Sequence, residues 1–414
     1  MSRRIQAPRG TYDVLGDDAL ARAALEGHAR RILERAGYAR IETPAFEATE
    51  LFARGVGEST DVVQKEMYTI DEGPSESLTL RPEGTAPVCR AYLEHGMHKL
   101  PQPVKLWYLS SFFRRERPQA GRFRQFWQIG AEAIGSDDPA ADAEVILLLS
   151  ELLEAVGAGS ARLVIASLGQ PASRTEYREE LKAYLHAHED ELAPEVRDRI
   201  DLNPLRAFDA KHAPTQRVMA GAPLLIDRLP AEDLEHFEQV KGLLDATGLA
   251  YMVDPTMVRG LDYYTRTLFE FQSDALAAAQ NTLGGGGRYD GLMEVIGGPP
   301  TPGVGWAAGL ERILLCSPPP PVAPPPLDLY VAYAGPEHAG EAFRLAADAR
   351  RTGHSARLEL GGRSLKGQLK QADRAGARYV AILGDEGTAL KDMESGEQKT
   401  VETETVMHHI RGGL

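Results

Sequence analysis

Cysteine is scarce in this chain: Cys89 and Cys316 are the two in 414 residues. They form no CxxC pair, so neither a zinc site nor a disulfide framework is indicated, and each reads as a buried thiol. Long apolar runs are missing as well. The most apolar helical stretch, Ala143 to Ala158, is too short to span a bilayer and is interrupted by Glu144, Glu151 and Glu154. The opening MSRRIQAPRGTYDVLG has two early arginines but no apolar signal-peptide core. No membrane role is expected, and a reducing cytoplasm is the default compartment. An excess of positive charge is absent too. Lys and Arg number 46 against 60 Asp and Glu, for a net charge of −14. That argues against indiscriminate nucleic-acid binding and leaves room for a local basic patch. The common glycine-rich nucleotide signatures are also lacking. The run LGGGGRYDG is not followed by Gly-Lys-Ser/Thr and has no βαβ setting, although its glycines let a backbone pass close to a ligand.

The length allows two or three domains with a large core. The clearest boundary is SPPPPVAPPP, residues 317–326, with seven prolines in ten positions. Such a run cannot donate to a hydrogen-bond ladder and reads as a stiff linker. Beyond it, strands (LDLYVAYAG, ARLEL, ARYVAILGD) alternate with helices over about 337–352 and 364–375, which predicts a small α/β domain over 327–414. Before it, an amphipathic helix is expected over 17–36. β-rich segments follow at 41–44, 68–70, 78–81, 163–167, 267–271 and 303–307, plus a hairpin. The fold class is therefore α+β with a mainly antiparallel sheet. Residues 172–247 are charged and helical and read as an insertion, or else as part of the main core. The main domain is then 1–171 with 248–316.

The hairpin is the most informative stretch: LWYLSSFFRRERPQAGRFRQFWQIGAEAIG, residues 106–135. Two apolar-aromatic runs flank the turn Pro118–Gln119–Ala120–Gly121. Period-two alternation puts Arg122, Arg124, Phe126, Gln128, Gly130 and Glu132 on one wet face, joined by Arg114 and Glu116, with Phe123, Trp127 and Ile129 on the core face. Five arginines around one turn suggest a polyanion such as ATP or RNA phosphate. In LRPEGTAPVCRAY, Glu83 and Thr85 could bind an ammonium group or simply cap a helix. In VRGLDYYTRTLFEF, Arg259, Asp262, Tyr263 and Tyr264 surround Gly260 and could line a polar aromatic pocket or sit in the core. In TPGVGWAAGLERILL, small residues lead into a helix that starts with Glu311 and Arg312. That arginine could reach a phosphate, or the two could be a structural pair.

Taken together, these segments resemble the class II aminoacyl-tRNA synthetases. The hairpin resembles their motif 2, Thr301–Leu315 their motif 3, and Pro44 is placed like the motif 1 proline at the family's dimer interface. The pairing of VRGLDYYTRTLFE with GGGGRYDG is similar to the two signature peptides of histidyl-tRNA synthetases, as are APRGTYDV, GESTDVVQKEMYT and GGRSLKGQLKQADRAGARYVAILG. The resemblance covers nearly the whole chain. It departs at Trp127, where a smaller residue or histidine is expected, and at Ala120, a variable loop position.

The resemblance implies an enzyme, in the family's manner a homodimer of this chain, that activates L-histidine with ATP and passes it to tRNA(His). Arg114 and Arg259 would flank the α-phosphate, Arg312 would hold the γ-phosphate of a bent ATP, and Glu116 would read the adenine amino group. Mg²⁺ would bridge the β- and γ-phosphates, with no metal held by the protein itself. Glu83, Thr85 and Gln128 would take the histidine ammonium, and Glu132 and Tyr264 the imidazole, with Tyr263 and Tyr289 lining the pocket and Arg259 nearby. Gln119 and Arg124 are candidates for the tRNA acceptor end, and Arg122 for either ATP or tRNA. The last domain would bind the anticodon. The rival is a synthetase-like regulatory subunit of histidine biosynthesis, which is non-catalytic.

Overall fold

The computed structural model describes residues 4–58, 60–73, 76–119, 121–276, 281–319 and 327–412. The chain divides into two compact units, Met1–Pro320 and Pro321–Leu414. Most of the 317–326 linker, and Ala120 of the hairpin turn, lie outside the described residues.

The first unit opens with α1 (Gly16–Arg35). Asp17 and Asp18 in its first turn and Arg35 in its last oppose the helix dipole, and Leu25, Ala29 and Leu33 bury one face. There follow β1 (Ala39–Arg40), β2 (Phe46–Ala48), α2 (Thr49–Val56), β3 (Tyr68–Gly73), β4 (Glu76–Leu80) and α3 (Thr85–Glu94). The long hairpin is β5 (Val104–Phe113) and β6 (Gln125–Ile134). Next comes α4 (Pro139–Ala155), started by the Asp138 carboxylate, which accepts from the Ala140 N–H at 2.8 Å, and by Pro139 at its first position. After β7 (Arg162–Ser167) the described residues form only helices up to β8 (Tyr251–Val253): α5 (Pro171–Ala187), α6 (Pro194–Arg197), α7 (Ala213–Met219), α8 (Ala231–Thr247) and short single turns. The unit closes with β9 (Thr265–Gln272), β10 (Thr282–Arg288), α9 (Leu292–Val295), β11 (Gly303–Gly309) and α10 (Leu310–Cys316).

Eight strands form one sheet in the order β1-β5-β6-β11-β10-β9-β7-β8. Only the end pairs, β1 with β5 and β7 with β8, are parallel. One face packs on α1, α4 and α8 through a core that includes Trp107, Ile129, Leu149, Phe237, Phe269 and Trp306. A separate small sheet has the order β2-β4-β3.

Three local expectations need correction. Residues 41–44 are not a strand. The strand is Ala39–Arg40, and Pro44 lies beyond it. The Arg81 guanidinium takes the Thr43 carbonyl at 2.6 Å and the Pro44 carbonyl at 3.2 Å, which removes both acceptors from any ladder. The second hairpin strand begins at Gln125, so Arg122 and Arg124 belong to the turn. The Arg124 N–H goes instead to the Gly10 carbonyl at 2.8 Å. The face that alternation marked as wet is graded, from an exposed Arg122 through half-buried Arg124, Phe126 and Gln128 to a fully enclosed Glu132.

The glycine run is a central strand. Each of its glycines is forced by a close neighbour. A Cβ on Gly286 would stand 1.9 Å from the Gly305 carbonyl oxygen, and one on Gly285 2.6 Å from that of Phe269. At its end Arg288 is fully buried, with its donors filled by Asp142, Asp290 (3.2 Å) and the carbonyls of Ser136 (2.8 Å) and Asp138 (3.3 Å).

The second unit holds β12 (Leu327–Tyr333), α11 (Ala339–Arg351), β13 (Ala356–Leu358), α12 (Leu365–Arg374), β14 (Ala377–Gly384), β15 (Gly387–Asp392), β16 (Gln398–Val401) and α13 (Val406–Gly412). Its sheet order is β13-β12-β14-β15-β16, parallel through the first three strands and antiparallel after. The final antiparallel pair was not anticipated, because its polar, charged sequence hides the inward residues such as Leu390.

Replacing Gly286 by alanine should destabilise the first unit by about 3 kcal/mol or prevent folding, since backbone on the neighbouring strand cannot yield. Gly291→Ala, where nothing lies within 4 Å of the added carbon, is the control. Urea melts of the two proteins with equal midpoints would refute this account of the strand.

Candidate active site

The hairpin, the start of α3, the segment before β9, strands β10 and β11, and the start of α10 converge on one cavity of about 270 Å³. Register explains the convergence. Gln128 pairs with Ser110 and with Gly309, and Glu132 pairs with Gly305, so these side chains rise from the middle of the sheet. Gly284 and Gly285 on β10 keep the floor low, since neither carries a side chain.

One end of the cavity is rich in positive charge. The Arg114 Nε donates to the Pro82 carbonyl at 2.9 Å, and its guanidinium lies over the Phe126 ring. Arg312 donates to the carbonyls of Gly121 (3.2 Å) and Thr282 (2.9 Å). Neither has a carboxylate within salt-bridge distance among the described residues. Burial pushes both below the usual arginine range, and Arg312 is lowered further by Arg122, Arg114 and Arg259. Arg259 differs. Burial would lower it, but its ion pair with Glu270 holds it high. Glu270 is also fixed by Gln272 at 3.0 Å and Thr282 at 2.9 Å. Glu116 pairs with Arg122 across the turn. Cations held together by carbonyls rather than by carboxylates leave net positive charge for an anionic guest.

The other end is polar and aromatic. The Glu83 carboxylate caps α3 by accepting from the N–H groups of Thr85 (2.8 Å) and Ala86 (3.0 Å), and the Tyr263 hydroxyl approaches it at 3.4 Å. Burial raises its pKa. The Thr85 and Tyr289 hydroxyls both donate to Glu132, at 2.9 and 2.7 Å. Burial pushes Glu132 up to about 8 against the pull of those two hydroxyls. The Oε1 of Gln128 is buried with no hydrogen-bond partner among the described residues, an acceptor left for a ligand.

Residues 10–313 match the family model for histidyl-tRNA synthetase, and residues 328–412 match the anticodon binding domain. The chain belongs to the histidyl-tRNA synthetase family. It is 48% identical to the histidine–tRNA ligase of Geobacillus kaustophilus, over 98% of this chain and 97% of that one. It is 47% identical to the histidine–tRNA ligase of Thermosynechococcus vestitus, over 96% and 94%. The crystal structure of apo Staphylococcus aureus histidyl-tRNA synthetase superposes with a TM-score of 0.81 at 36% identity, covering 99% of this chain and all of that one.

Of the residues singled out on sequence, the fold brings Glu83, Thr85, Arg114, Glu116, Arg122, Gln128, Arg259, Tyr263, Tyr264, Tyr289 and Arg312 to the cavity wall. Glu132 lies one layer deeper, behind Thr85 and Tyr289. Gln119 and Arg124 are outside the wall: Gln119 closes the turn with Arg122, and Arg124 is engaged with Gly10 and the Glu116 carbonyl. Pro44 is remote from it. Sequence reading missed Glu270 and Thr282, which lie among ordinary strand residues and acquire meaning only through their partners. It also missed a second cavity of about 210 Å³ that shares Arg259 and Leu261 with the first and is lined by Arg174, Arg178 and Arg206. Burial, with Arg178 beside it, lowers Arg174 to about 10.

The elevated Glu132 gives a signed pH effect. Its contribution to stability is complete below its ordinary value of 4.5 and is lost as pH rises through about 8. The melting temperature of Glu132→Gln should therefore fall less between about pH 6 and pH 9 than that of the parent protein. Parallel pH profiles would remove the burial argument for this carboxyl.

Proposed function

We propose that this cavity activates L-histidine with ATP and then transfers it to tRNA(His). The observation that carries this reading is the two-ended cavity: carbonyl-held arginines at one end and a polar aromatic cup with a free amide acceptor at the other. The histidine carboxylate attacks the α-phosphate, giving histidyl-adenylate and pyrophosphate. A terminal ribose hydroxyl of the tRNA then attacks the adenylate carbonyl, releasing AMP. No protein nucleophile is required; orientation and charge stabilisation suffice.

Arg114 and Arg259 flank the α-phosphate, where charge builds in the transition state, and Arg312 takes the γ-phosphate end. Glu116 reads the adenine amino group, with Arg122 beside it. Gln128 Oε1, Glu83 and Thr85 receive the ammonium. Tyr263, Tyr264 and Tyr289 enclose the imidazole, while Glu132 orients the Tyr289 and Thr85 hydroxyls from behind. The carboxylates lining the cavity, Glu83, Glu116 and Glu311, are each already engaged by protein donors. Mg²⁺ would accordingly accompany the nucleotide and help offset the charge of its phosphates.

Gln119 and Arg124 on the hairpin turn, with the arginine-lined second cavity, face the incoming acceptor end. Residues 1–171 and 248–316 act as the catalytic domain, 172–247 as the helical insertion, 317–326 as the linker and 327–414 as the anticodon-binding domain. A homodimer is supported by the small sheet, where Phe46, Ala48, Tyr68, Ile70, Leu78 and Leu80 share one face by register. Phe46 and Ile70 remain 52% and 48% exposed, beside Pro44. No helix among the described residues is long and apolar enough to cross a membrane, and a cytoplasmic site of action fits the substrates. The regulatory-subunit reading is not favoured, since the arginines are in place and the anticodon-binding module is matched.

Arg259→Gln should slow histidine-dependent ATP–pyrophosphate exchange about 100- to 1,000-fold with ATP binding largely kept. A single-turnover rate within about threefold of the parent would contradict its role. The chain ended after Ser317 should retain exchange yet charge tRNA poorly. Full charging efficiency by that shortened protein would give the second unit some other task.

A further inference from the structure

The segment APRGTYDV, notable in the sequence but unused by the chemistry above, packs against the ATP end of the cavity without lining it. Thr11 turns back on the Pro8 carbonyl through both its N–H (3.0 Å) and its hydroxyl (2.8 Å). The Gly10 carbonyl then accepts from the N–H groups of Arg124 (2.8 Å) and Gln125 (3.3 Å), where the hairpin turn enters β6. Gly10 has φ +90°, and a Cβ there would stand 2.7 Å from the Arg124 side chain, so only glycine fits.

Tyr12 follows. Its ring lies 4.7 Å, centroid to centroid, from that of Phe123, a wall residue of the cavity. Its hydroxyl donates to Glu311 at 2.9 Å. Arg22 on α1 contacts the Tyr12 hydroxyl and donates to Glu311 at 3.0 Å, with its guanidinium 5.5 Å from the Tyr12 ring and 5.6 Å from the Trp127 ring. The same carboxylate accepts from the Trp127 N–H at 3.1 and 3.2 Å. One buried carboxylate therefore ties the N-terminal segment, α1, β6 and α10 together.

The contacts close into a ring. Tyr12 holds Glu311; Glu311 precedes Arg312 on α10; Arg312 holds the Gly121 carbonyl of the hairpin turn; and that turn returns through Phe123 to the Tyr12 ring. This ring borders the ATP end through Gly121, Phe123, Glu311 and Arg312. Among the described residues no side-chain hydrogen bond joins Glu83, Thr85, Gln128 or Tyr263, at the polar aromatic end, to this ring. Trp127, the departure from the family pattern, becomes intelligible as the aromatic surface under Arg22.

We propose that Tyr12 and Arg22 are positioning residues for ATP: they fix the hairpin turn against α10 and so set nucleotide affinity without touching substrate. The proposal rests on the assignment of the arginine-rich end to ATP.

Full-length variants in histidine-dependent ATP–pyrophosphate exchange test it, with the KM for each substrate and the melting temperature as readouts. Tyr12→Phe keeps the ring and loses one hydrogen bond to a charged group. It should raise the ATP KM about tenfold and leave the histidine KM within about twofold. Arg22→Gln should do the same, with Arg22→Lys recovering part of the loss. Tyr12→Phe added to Glu311→Gln should cost nothing further, because the acceptor charge is already gone. Equal rises in both KM values, or a lower melting temperature with unchanged ATP KM, would overturn the proposal. Arg312→Gln separates the two levels of argument. If it leaves the ATP KM unmoved, the assignment of that end fails. If it raises the ATP KM and Tyr12→Phe does not, the assignment stands and the positioning role is wrong.

Discussion

Four glycines in a central strand set the depth of the site. β10 runs between β9 and β11 with backbone oxygens so near that no Cβ can be added at Gly285 or Gly286. Strands so stripped contribute little packing of their own and are weakly held. The strand is instead fixed at its end by Arg288, whose buried guanidinium is saturated by Asp142, Asp290 and two carbonyls. The next residue, Tyr289, closes the aromatic cup and donates to Glu132. Low floor, anchored end and oriented tyrosine are thus consequences of one short stretch, and the cavity above it exists because that stretch has no side chains to fill it.

Charge organises the rest. Bringing Arg114, Arg259 and Arg312 to one end opposes their mutual repulsion, and the protein answers with neutral acceptors rather than with carboxylates at two of the three. Carbonyl dipoles fix the orientation of a guanidinium and leave its charge uncancelled. Glu270 neutralises only Arg259 locally, and it is itself held by Gln272 and Thr282. An anion entering such a site meets donors already aimed, so little reorganisation accompanies binding.

Much of this could be read from the chain. The alternation of the hairpin located Gln128 and Glu132 on one face, and the register in the sheet agrees. The mainly antiparallel character of the large sheet was expected from recurring β-rich segments and the hairpin, and the strand pairings agree. What escaped reading depends on contacts distant in sequence. Arg122 and Arg124 fell out of the strand because Gly10, more than a hundred residues earlier, takes a backbone N–H. Residues 41–44 lost their ladder to Arg81. Glu132 looked solvated because alternation gives a face but not what covers it. The glycine run announced close approach without saying that the neighbour was its own sheet, and β15 and β16 were hidden by exposed charge.

Arg259 and Leu261 border both cavities, which places one guanidinium between the two compartments. The charge of that guanidinium acts on both sides, so the electrostatic potential of each compartment depends on what fills its neighbour. An anion seated against Arg259 on the first side would lower the attraction offered to an anion on the second, which Arg174, Arg178 and Arg206 line. By thermodynamic reciprocity the reverse holds with equal strength. Two anions, one on each side, are thereby set in mutual antagonism by geometry alone, and departure of one favours arrival of the other.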